Sequence, residues 1–171
     1  MYDNILIPTD GRENTPDAAR PGIELASQHG ATVHVLHVVE NEMLRTALAP
    51  RSMRTMTVEA RSTGEQAVEV VQRLAEDHGV ETVSWVLRAP PSIVHAPVHE
   101  TIVDYAETND VDLIVMGSSG RGWLSTLLRP SVTQRVMAST DVPVYGRRLR
   151  SDPTYGPDQS TGTPSGTELS D

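Results

Sequence analysis

Short apolar runs alternate with amphipathic segments along most of the chain. This alternation is typical of an α/β domain built on a mainly parallel sheet. The apolar runs are rich in Val, Ile and Leu, as the buried strands of such sheets are. We predict strands at about residues 3–8, 32–39, 81–87, 111–116 and 142–145. The apolar residues between these runs recur at helical spacing, so the predicted fold class is α/β, doubly wound and Rossmann-like.

The first predicted helix has recognisable signals at both ends. Asn14 or Thr15 can cap it, and Pro16 falls in its first turn, where a proline costs little. Gly30 supplies a C-terminal stop, because glycine readily adopts the left-handed conformation that ends helices. Pro21 lies inside the helix and is expected to kink or loosen it.

Three segments do not fit the alternation. Residues 40–57 have no clear period and predict a mobile loop or a short irregular helix. Residues 89–97 contain prolines that remove ladder donors, so the chain must leave the sheet there. Residues 148–171 are polar, with almost no apolar content, and are expected to be disordered. We therefore predict one domain over residues 1–147, followed by a disordered tail.

The most specific local feature follows the fourth predicted strand. Residues 116–121 read MGSSGR, and a helix is predicted to begin at Ser131, which forms an S-x-x-Q capping box with Gln134. Helix N-termini present unpaired N–H groups and a partial positive charge, which suit a phosphate. Gly117 and Gly120 would let that phosphate approach the main chain.

A second candidate feature follows the first predicted strand. Ligands of open parallel sheets bind beyond the carboxyl ends of the strands, where the strand order reverses. If the first and fourth strands are neighbours there, residues 8–11 (PTDG) meet the glycine segment. Asp10 would then accept hydrogen bonds from ribose hydroxyls or from an adenine amino group. The alternative is that Asp10 and Gly11 form a turn and that Asp10 caps the following helix.

Together these residues resemble the universal stress protein family. Its ATP-binding members have a G-x2-G-x9-G-[ST] loop after the fourth strand and an aspartate just after the first. The matching segments are ILIPTDG (5–11), VLHV (35–38), DLIVMG (112–117) and VPV (142–144), so the resemblance covers roughly residues 1–147. It implies a five-stranded parallel sheet in the order 3-2-1-4-5.

The resemblance also implies a ligand and a set of site residues. The ligand is ATP or a related adenine nucleotide, with Mg²⁺ accompanying it. Nucleoside contacts would come from the ends of the first, second and fourth predicted strands, and phosphate contacts from the glycine segment and the capped helix. The predicted nucleoside contacts are Pro8, Asp10, Val38 and Met116, with Thr9 between the first two, and the phosphate contacts are Gly117, Gly120, Ser131 and Val132.

The glycine segment departs from the family pattern at one position. Pro130 stands where the third glycine belongs, so one N–H donor to phosphate is missing. A hydrogen bond to a charged group contributes about 1.5–3 kcal/mol, so this loss would weaken phosphate binding by about one to two decades. Arg121 or Arg129 would compensate electrostatically, unless they are solvated surface charges.

Other chemistries fail on residue type or spacing. A P-loop and a phosphorylated receiver domain both use a lysine, and this chain has none. The glycine segment also lacks the final glycine of a G-x-S-x-G nucleophile elbow. His95 and His99 have helical spacing, but Pro97 lies between them, so we expect no metal site. No residues form a persuasive nucleophile and base pair, so efficient catalysis is not expected.

Composition narrows the partners and the compartment. The net charge is −9, from 23 acidic and 14 basic residues, which makes nucleic acid an unfavourable partner. All the basic residues are Arg, which resembles the surfaces of proteins from salt-loving microbes or reflects a G+C-rich genome. The chain has no cysteine for a disulfide and no long apolar run for a membrane, so a cytoplasmic protein is predicted.

These observations leave three functional hypotheses. The leading one is a stress-response protein that binds an adenine nucleotide and acts as a sensor or regulator. The second is a nucleotide-free dimeric interaction module with a degraded phosphate loop. The third and weaker one is a slow ATP hydrolase. The resemblance implies a homodimer that pairs the last strand, predicted at Val142–Tyr145, and pairing would protect an otherwise open apolar edge.

Overall fold

Five strands form one parallel sheet in the order β3-β2-β1-β4-β5. The computed structural model describes residues 1–11, 14–39, 56–89, 98–119 and 131–149. The strands are β1 Asn4–Thr9, β2 Thr32–Val39, β3 Thr82–Arg88, β4 Leu113–Ser119 and β5 Val144–Leu149, and the helices are α1 Thr15–His29, α2 Met56–Glu76, α3 Val98–Thr108 and α4 Val132–Ser139. The predicted fold class and strand order are confirmed.

The sheet is buried on both faces by helices, which explains its nearly continuous apolar strands. Alternate residues of β1 belong to two separate aliphatic clusters, because successive side chains of a strand point to opposite faces. One cluster joins Ile5 and Ile7 to residues of α1 and α2, including Ile23 and Val71. The other joins Leu6 to residues of α3 and α4, including Ile102 and Val136.

β4 extends further than the sequence pattern predicts. The expected strand at residues 111–116 is observed at Leu113–Ser119, so Gly117 lies within the strand and does not open a loop. The reason is the neighbouring strand, since Gly117 pairs with Arg147 and Ser119 with Leu149. A glycine weakens a strand, but backbone pairing to β5 outweighs that preference here.

β5 is shifted towards the C-terminus relative to its prediction. The expected strand at Val142–Tyr145 is observed at Val144–Leu149. The strand therefore continues past residue 147, where the polar tail was predicted to begin. Residues 150–171 lie outside the described part of the chain.

α1 runs unbroken from Thr15 to His29 although Pro21 lies inside it. Proline has no N–H, so the carbonyl of Asp17, one turn earlier, has no helical donor. The guanidinium of Arg147 on β5 donates to this carbonyl from Nη1 at 2.8 Å. The helix thus keeps its hydrogen bonding through a side chain from the sheet. The predicted stop at Gly30 is confirmed by its left-handed conformation, with φ +69°.

The less regular predicted segments fall mainly on undescribed residues. Of the predicted irregular segment 40–57, residues 40–55 are not described, and α2 begins at Met56. The proline-containing segment is described only at Ala89. Within the described ranges, no helix has the length and apolar character needed to cross a membrane.

Candidate functional site

A gap opens between β1 and β4 at the carboxyl edge of the sheet. The two strands pair at Ile5↔Leu113 and Leu6↔Ile114, near their amino ends. In contrast, β1 pairs with β2 as far as Thr9↔His37. β1 and β4 are also the strands between which the strand order reverses. This is the position at which open α/β sheets bind ligands.

Pro8 provides the physical reason for the gap. The carbonyl of Asp3 accepts from the N–H of Thr32 on the β2 side, at 2.9 Å. The carbonyl of Asn4 accepts from the N–H of Asp112 on the β4 side, also at 2.9 Å. Backbone groups alternate in direction along a strand, so position 8 faces β4. A proline there has no N–H to donate, and the ladder between β1 and β4 stops before it.

The turn after β1 is held by hydroxyl groups. The N–H of Gly11 donates to Thr9 Oγ1 at 3.3 Å, and Thr9 Oγ1 lies 3.2 Å from Thr15 Oγ1 at the start of α1. Gly11 has φ +74°, a conformation that favours glycine. Asp10 is exposed in this turn, and the N-cap position of α1 is Asn14, so Asp10 does not occupy it.

Two predicted nucleoside contacts lie on the same face of the sheet. Met116 belongs to the cluster under α3 and α4 and is 6% exposed, while Val38 is partly buried against the same cluster. Val38 is near the end of β2, and Met116 is in the second half of β4. They therefore flank β1 near the gap, although Met116 is mostly covered.

The first turn of α4 is tied directly to β4. Ser131 and Gln134 form the predicted capping box, which is confirmed by Gln134 N donating to Ser131 Oγ at 3.2 Å and Ser131 N donating to Gln134 Oε1 at 2.9 Å. Thr133 Oγ1 donates to the carbonyl of Gly117 at 3.0 Å. The capping box uses the N–H groups of Ser131 and Gln134. An anion at this helix end would therefore bind the N–H groups of Val132 and Thr133.

Thr133 belongs to the candidate site but was not predicted from the sequence. It is 5% exposed, and its hydroxyl fixes the distance between the helix N-terminus and β4. A buried threonine in the first turn of a helix is a weak sequence signal, because its partner is distant along the chain. Val132, predicted as a phosphate contact, is 39% exposed.

Two histidines of β2 point to opposite faces, as their odd spacing predicts. His34 Nδ1 lies 2.9 Å from the hydroxyl of Tyr105 on α3. His37 Nδ1 lies 2.9 Å from the carbonyl oxygen of Thr9, and its ring contacts α2 at Gly64. The contact of His37 therefore joins a side chain of β2 to the end of β1.

The shifted pKa values belong to groups at the amino edge and the buried face, away from the gap. Burial lowers the pKa of His34 and raises the pKa of Tyr105. Backbone N–H groups of Asn4 and Asp3 lower the pKa of Asp112. These groups stabilise the scaffold at the end of the sheet opposite the candidate site.

Several predicted residues lie outside the described part of the chain. They include Gly120 and Arg121, as well as Pro130, which replaces the third glycine of the loop. His95 is also undescribed, and His99 Nε2 lies 3.9 Å from Glu100 Oε1. Across the described residues, no group of three or more His, Asp or Glu side chains is arranged to hold a metal ion.

Comparisons with known proteins identify the family. Residues 1–145 match the sequence profile of the universal stress protein family. A universal stress protein of Methanocaldococcus jannaschii is 31% identical over 144 residues, covering 84% of this chain and 81% of the relative.

Solved structures agree with that match. Another protein of Methanocaldococcus jannaschii is similar in structure with a TM-score of 0.68 and 26% identity, covering 89% of this chain and 99% of the other. The universal stress protein from Archaeoglobus fulgidus in complex with dAMP has a TM-score of 0.57 at 21% identity, covering 85% and 97%, and shows the shared fold. The family match spans most of the chain, so this protein belongs to the universal stress protein family.

Proposed function

We propose that this stress-response protein binds an adenine nucleotide in the gap between β1 and β4 and acts as a sensor or regulator. The observation that carries the proposal is the end of the β1–β4 ladder at Pro8, at the point where the strand order reverses. Ligands of this fold class bind at that point. The complex of the Archaeoglobus fulgidus relative with dAMP supports an adenine nucleotide as the ligand.

The proposed contacts follow from the position of each element at the gap. Asp10 leaves β1 beside the gap and would accept hydrogen bonds from ribose hydroxyls or the adenine amino group. Val38 and Met116 would offer apolar contact to the base from the adjoining strands. Pro8 and Thr9, on β1 between these two strands, would line the site between Val38 and Met116.

The phosphates would lie towards α4. The amides of Val132 and Thr133 are at a helix N-terminus, where the partial positive charge favours an anion. The capping box of Ser131 orients this turn, and the hydroxyl of Thr133 holds it against Gly117. Gly120 and Arg121 are further contacts that the sequence predicts, and both lie outside the described residues. ATP with Mg²⁺ is the proposed ligand, with slow hydrolysis as the weaker alternative.

We further propose a cytoplasmic homodimer formed through β5. This strand lies at the edge of the sheet, and an open edge is a site for pairing with another chain. Tyr145 on this strand is 46% exposed and would be covered by such pairing. The dimer would use the observed strand Val144–Leu149. Sedimentation of the purified protein measures its mass directly.

The test of nucleotide binding is calorimetric titration with ATP and with dAMP, each with and without Mg²⁺, at low and high KCl. Titrations at high salt are included because the chain has a net charge of −9 and no lysine, and salt screens this negative charge. We expect saturable binding by the native protein. Asp10→Asn should weaken it by about tenfold, since a charged acceptor is lost.

Asp104→Asn is the matched control. Asp104 is an exposed carboxylate on α3, and its substitution should leave the affinity unchanged. Absence of binding by the folded native protein in every condition would overturn the proposal. That result would favour the nucleotide-free interaction module, in which Pro130 marks the loss of the phosphate site.

A further inference from the structure

A buried histidine of β2 holds the last peptide group of β1. His37 is 9% exposed, and its Nδ1 lies 2.9 Å from the carbonyl oxygen of Thr9. A carbonyl oxygen accepts hydrogen bonds and cannot donate them, so Nδ1 must carry the proton. Thr9 is also the cross-strand neighbour of His37 in the last pair between β1 and β2. The side chain therefore adds a hydrogen bond where the ladder ends.

The position of this imidazole is fixed by α2. A Cβ atom at position 64 would lie 2.9 Å from His37 Nε2 and closer still to Cδ2. Glycine is disfavoured in the interior of a helix, but here any larger residue would displace the ring. Gly64 thus allows the ring to lie directly against the helix. The imidazole is held between the backbone of α2 and the carbonyl of Thr9.

The carbonyl and the hydroxyl of Thr9 are both engaged in hydrogen bonds. Its carbonyl accepts from His37, and its hydroxyl accepts from the N–H of Gly11 and contacts Thr15. The carbonyl belongs to the peptide group that joins Thr9 to Asp10. Rotation of that group would break the bond to His37, so the bond sets the direction in which Asp10 leaves β1.

The strand end needs this support because of the neighbouring gap. Pro8 ends the ladder on the β4 side, so the terminus of β1 is held mainly by contacts from β2 and from the turn. An apolar side chain at position 37 could fill the same space, but it would leave the Thr9 carbonyl without this donor. Packing alone therefore does not account for a histidine here.

We propose that His37 is a positioning residue for the nucleotide site: it orients the Thr9–Asp10 peptide group so that the Asp10 carboxylate meets the ligand. The inference rests on the proposed function, because it assigns a role at the same site. His37 contacts the backbone of β1 and acts on the nucleotide through Asp10.

Two substitutions separate the hydrogen bond from the packing. His37→Leu fills the space without a donor, whereas the amide nitrogen of His37→Asn can occupy the place of Nδ1 and donate to Thr9. In titrations with ATP and dAMP, His37→Leu should weaken binding by about tenfold. This is the effect expected when the misplaced Asp10 loses one hydrogen bond to the ligand. His37→Asn should stay within about twofold of the native affinity. Gly64→Ala, which keeps the imidazole but displaces it, should weaken binding like His37→Leu.

His34→Leu is the matched control for a general loss of stability. His34 is another buried histidine of β2, but it points to the opposite face and towards the amino end. Its substitution should lower the unfolding temperature and leave the nucleotide affinity of the folded protein unchanged. Native affinity in His37→Leu would overturn the inference. Equal weakening in His37→Leu and His37→Asn would also overturn it, since packing would then explain the effect.

Amide exchange of Gly11 in the nucleotide-free protein gives a readout that does not depend on binding. The exchange rate of this amide, followed by NMR, should be higher in His37→Leu than in the native protein. In His37→Asn the rate should return to the native value. Unchanged exchange in His37→Leu would overturn the inference. If the native protein binds no nucleotide, the proposed function fails and the role of His37 at a nucleotide site fails with it. If the native protein binds and His37→Leu binds equally well, the inference alone fails.

Discussion

A short chain of side-chain hydrogen bonds crosses the amino end of the sheet. Asn4 Nδ2 donates to the carbonyl of Asp110 at 3.3 Å, which turns Asn4 Oδ1 towards His34 Nε2, also at 3.3 Å. An amide oxygen accepts, so Nε2 carries the proton and Nδ1 accepts from the hydroxyl of Tyr105. Every polar atom of the neutral ring therefore has a partner.

The buried neutral His34 should make stability depend on pH. Burial holds the folded-state pKa of His34 below the ordinary histidine value of about 6.5, so on acidification the unfolded chain takes up a proton before the folded protein does. The contribution of His34 is fully present above about pH 6.5 and is lost as the pH falls towards the folded-state pKa. Urea denaturation at a series of pH values should show this loss in the native protein. The stability of His34→Gln should depend less on pH. If its pH dependence is identical to that of the native protein, His34 is not the group responsible.

Asp112 should contribute through its two backbone donors. Its Oδ2 accepts from the N–H groups of Asp3 and Asn4 at 2.7 and 2.8 Å, and these bonds lower its pKa. Asp112→Ala should reduce the free energy of unfolding by about 1–2 kcal/mol at neutral pH, whereas the exposed control Asp104→Ala should change it by less than about 0.5 kcal/mol.

The contribution of Asp112 has a defined pH window. Because its folded pKa is depressed, the contribution is present above the unfolded pKa of about 3.9 and is lost as the pH falls through the folded value. Denaturation midpoints of the native protein and Asp112→Ala should therefore converge in strong acid. A constant difference down to about pH 2 would show that the carboxylate charge is not responsible.

At the scale of secondary-structure elements, the guanidinium of Arg147 joins β5 to α1. Pro21 leaves the carbonyl of Asp17 without a helical donor, and Arg147 supplies one at 2.8 Å. The edge strand thus stabilises the first half of the helix that follows the turn at Asp10.

A double-mutant cycle can measure this compensation. Arg147→Ala should lower the free energy of unfolding by about 1 kcal/mol, because the bond is exposed and one carbonyl loses its donor. Pro21→Ala restores an N–H that can donate to Asp17 within the helix. In the Pro21→Ala background, Arg147→Ala should then cost close to nothing, giving a coupling of about 1 kcal/mol. Additive effects of the two substitutions would contradict the compensation.

Elements whose signals are local were predictable from the sequence, whereas those fixed by distant partners were not. The capping box of Ser131 and Gln134 lies within one helical turn, and its prediction is confirmed. The ends of β4 and β5 depend on each other, since Ser119 pairs with Leu149, and neither end was predicted correctly. Pairing across the sheet outweighed the breaking signal of Gly117.

In the candidate site, too, features with a local sequence signal were predictable and features that depend on distant residues were not. Asp10 and the glycine segment were found from their positions at strand ends, and their ligand contacts remain predictions. The contacts of His37 were not predicted because Gly64 and Thr9 lie in other elements, so no local sequence pattern indicates them. The gap itself follows from Pro8 once its pairing direction is known, which requires the strand order.

For the whole molecule, the position at which the fold ends can be tested by truncation. Gly146–Leu149 pair with Met116–Ser119, so the second half of β5 completes the last strand pair of the sheet. A chain ending at Leu149 should keep the unfolding temperature and nucleotide binding of the full protein. A chain ending at Tyr145 should lose about 2 kcal/mol or more of stability, because several ladder bonds and the Arg147 contact are removed. Equal unfolding temperatures of the two truncated chains would contradict this role of β5.

The proline at the end of β1 also bears on the thermodynamics of ligand entry. Separating two paired strands would require a ligand to compete with backbone hydrogen bonds, and that cost would reduce its affinity. Here residue 8 has no N–H for β4 to accept, so the opening exists without any bond being broken. The gap is therefore preorganised by covalent structure, and the affinity for the proposed ligand would depend on the groups around the gap rather than on the work of opening it.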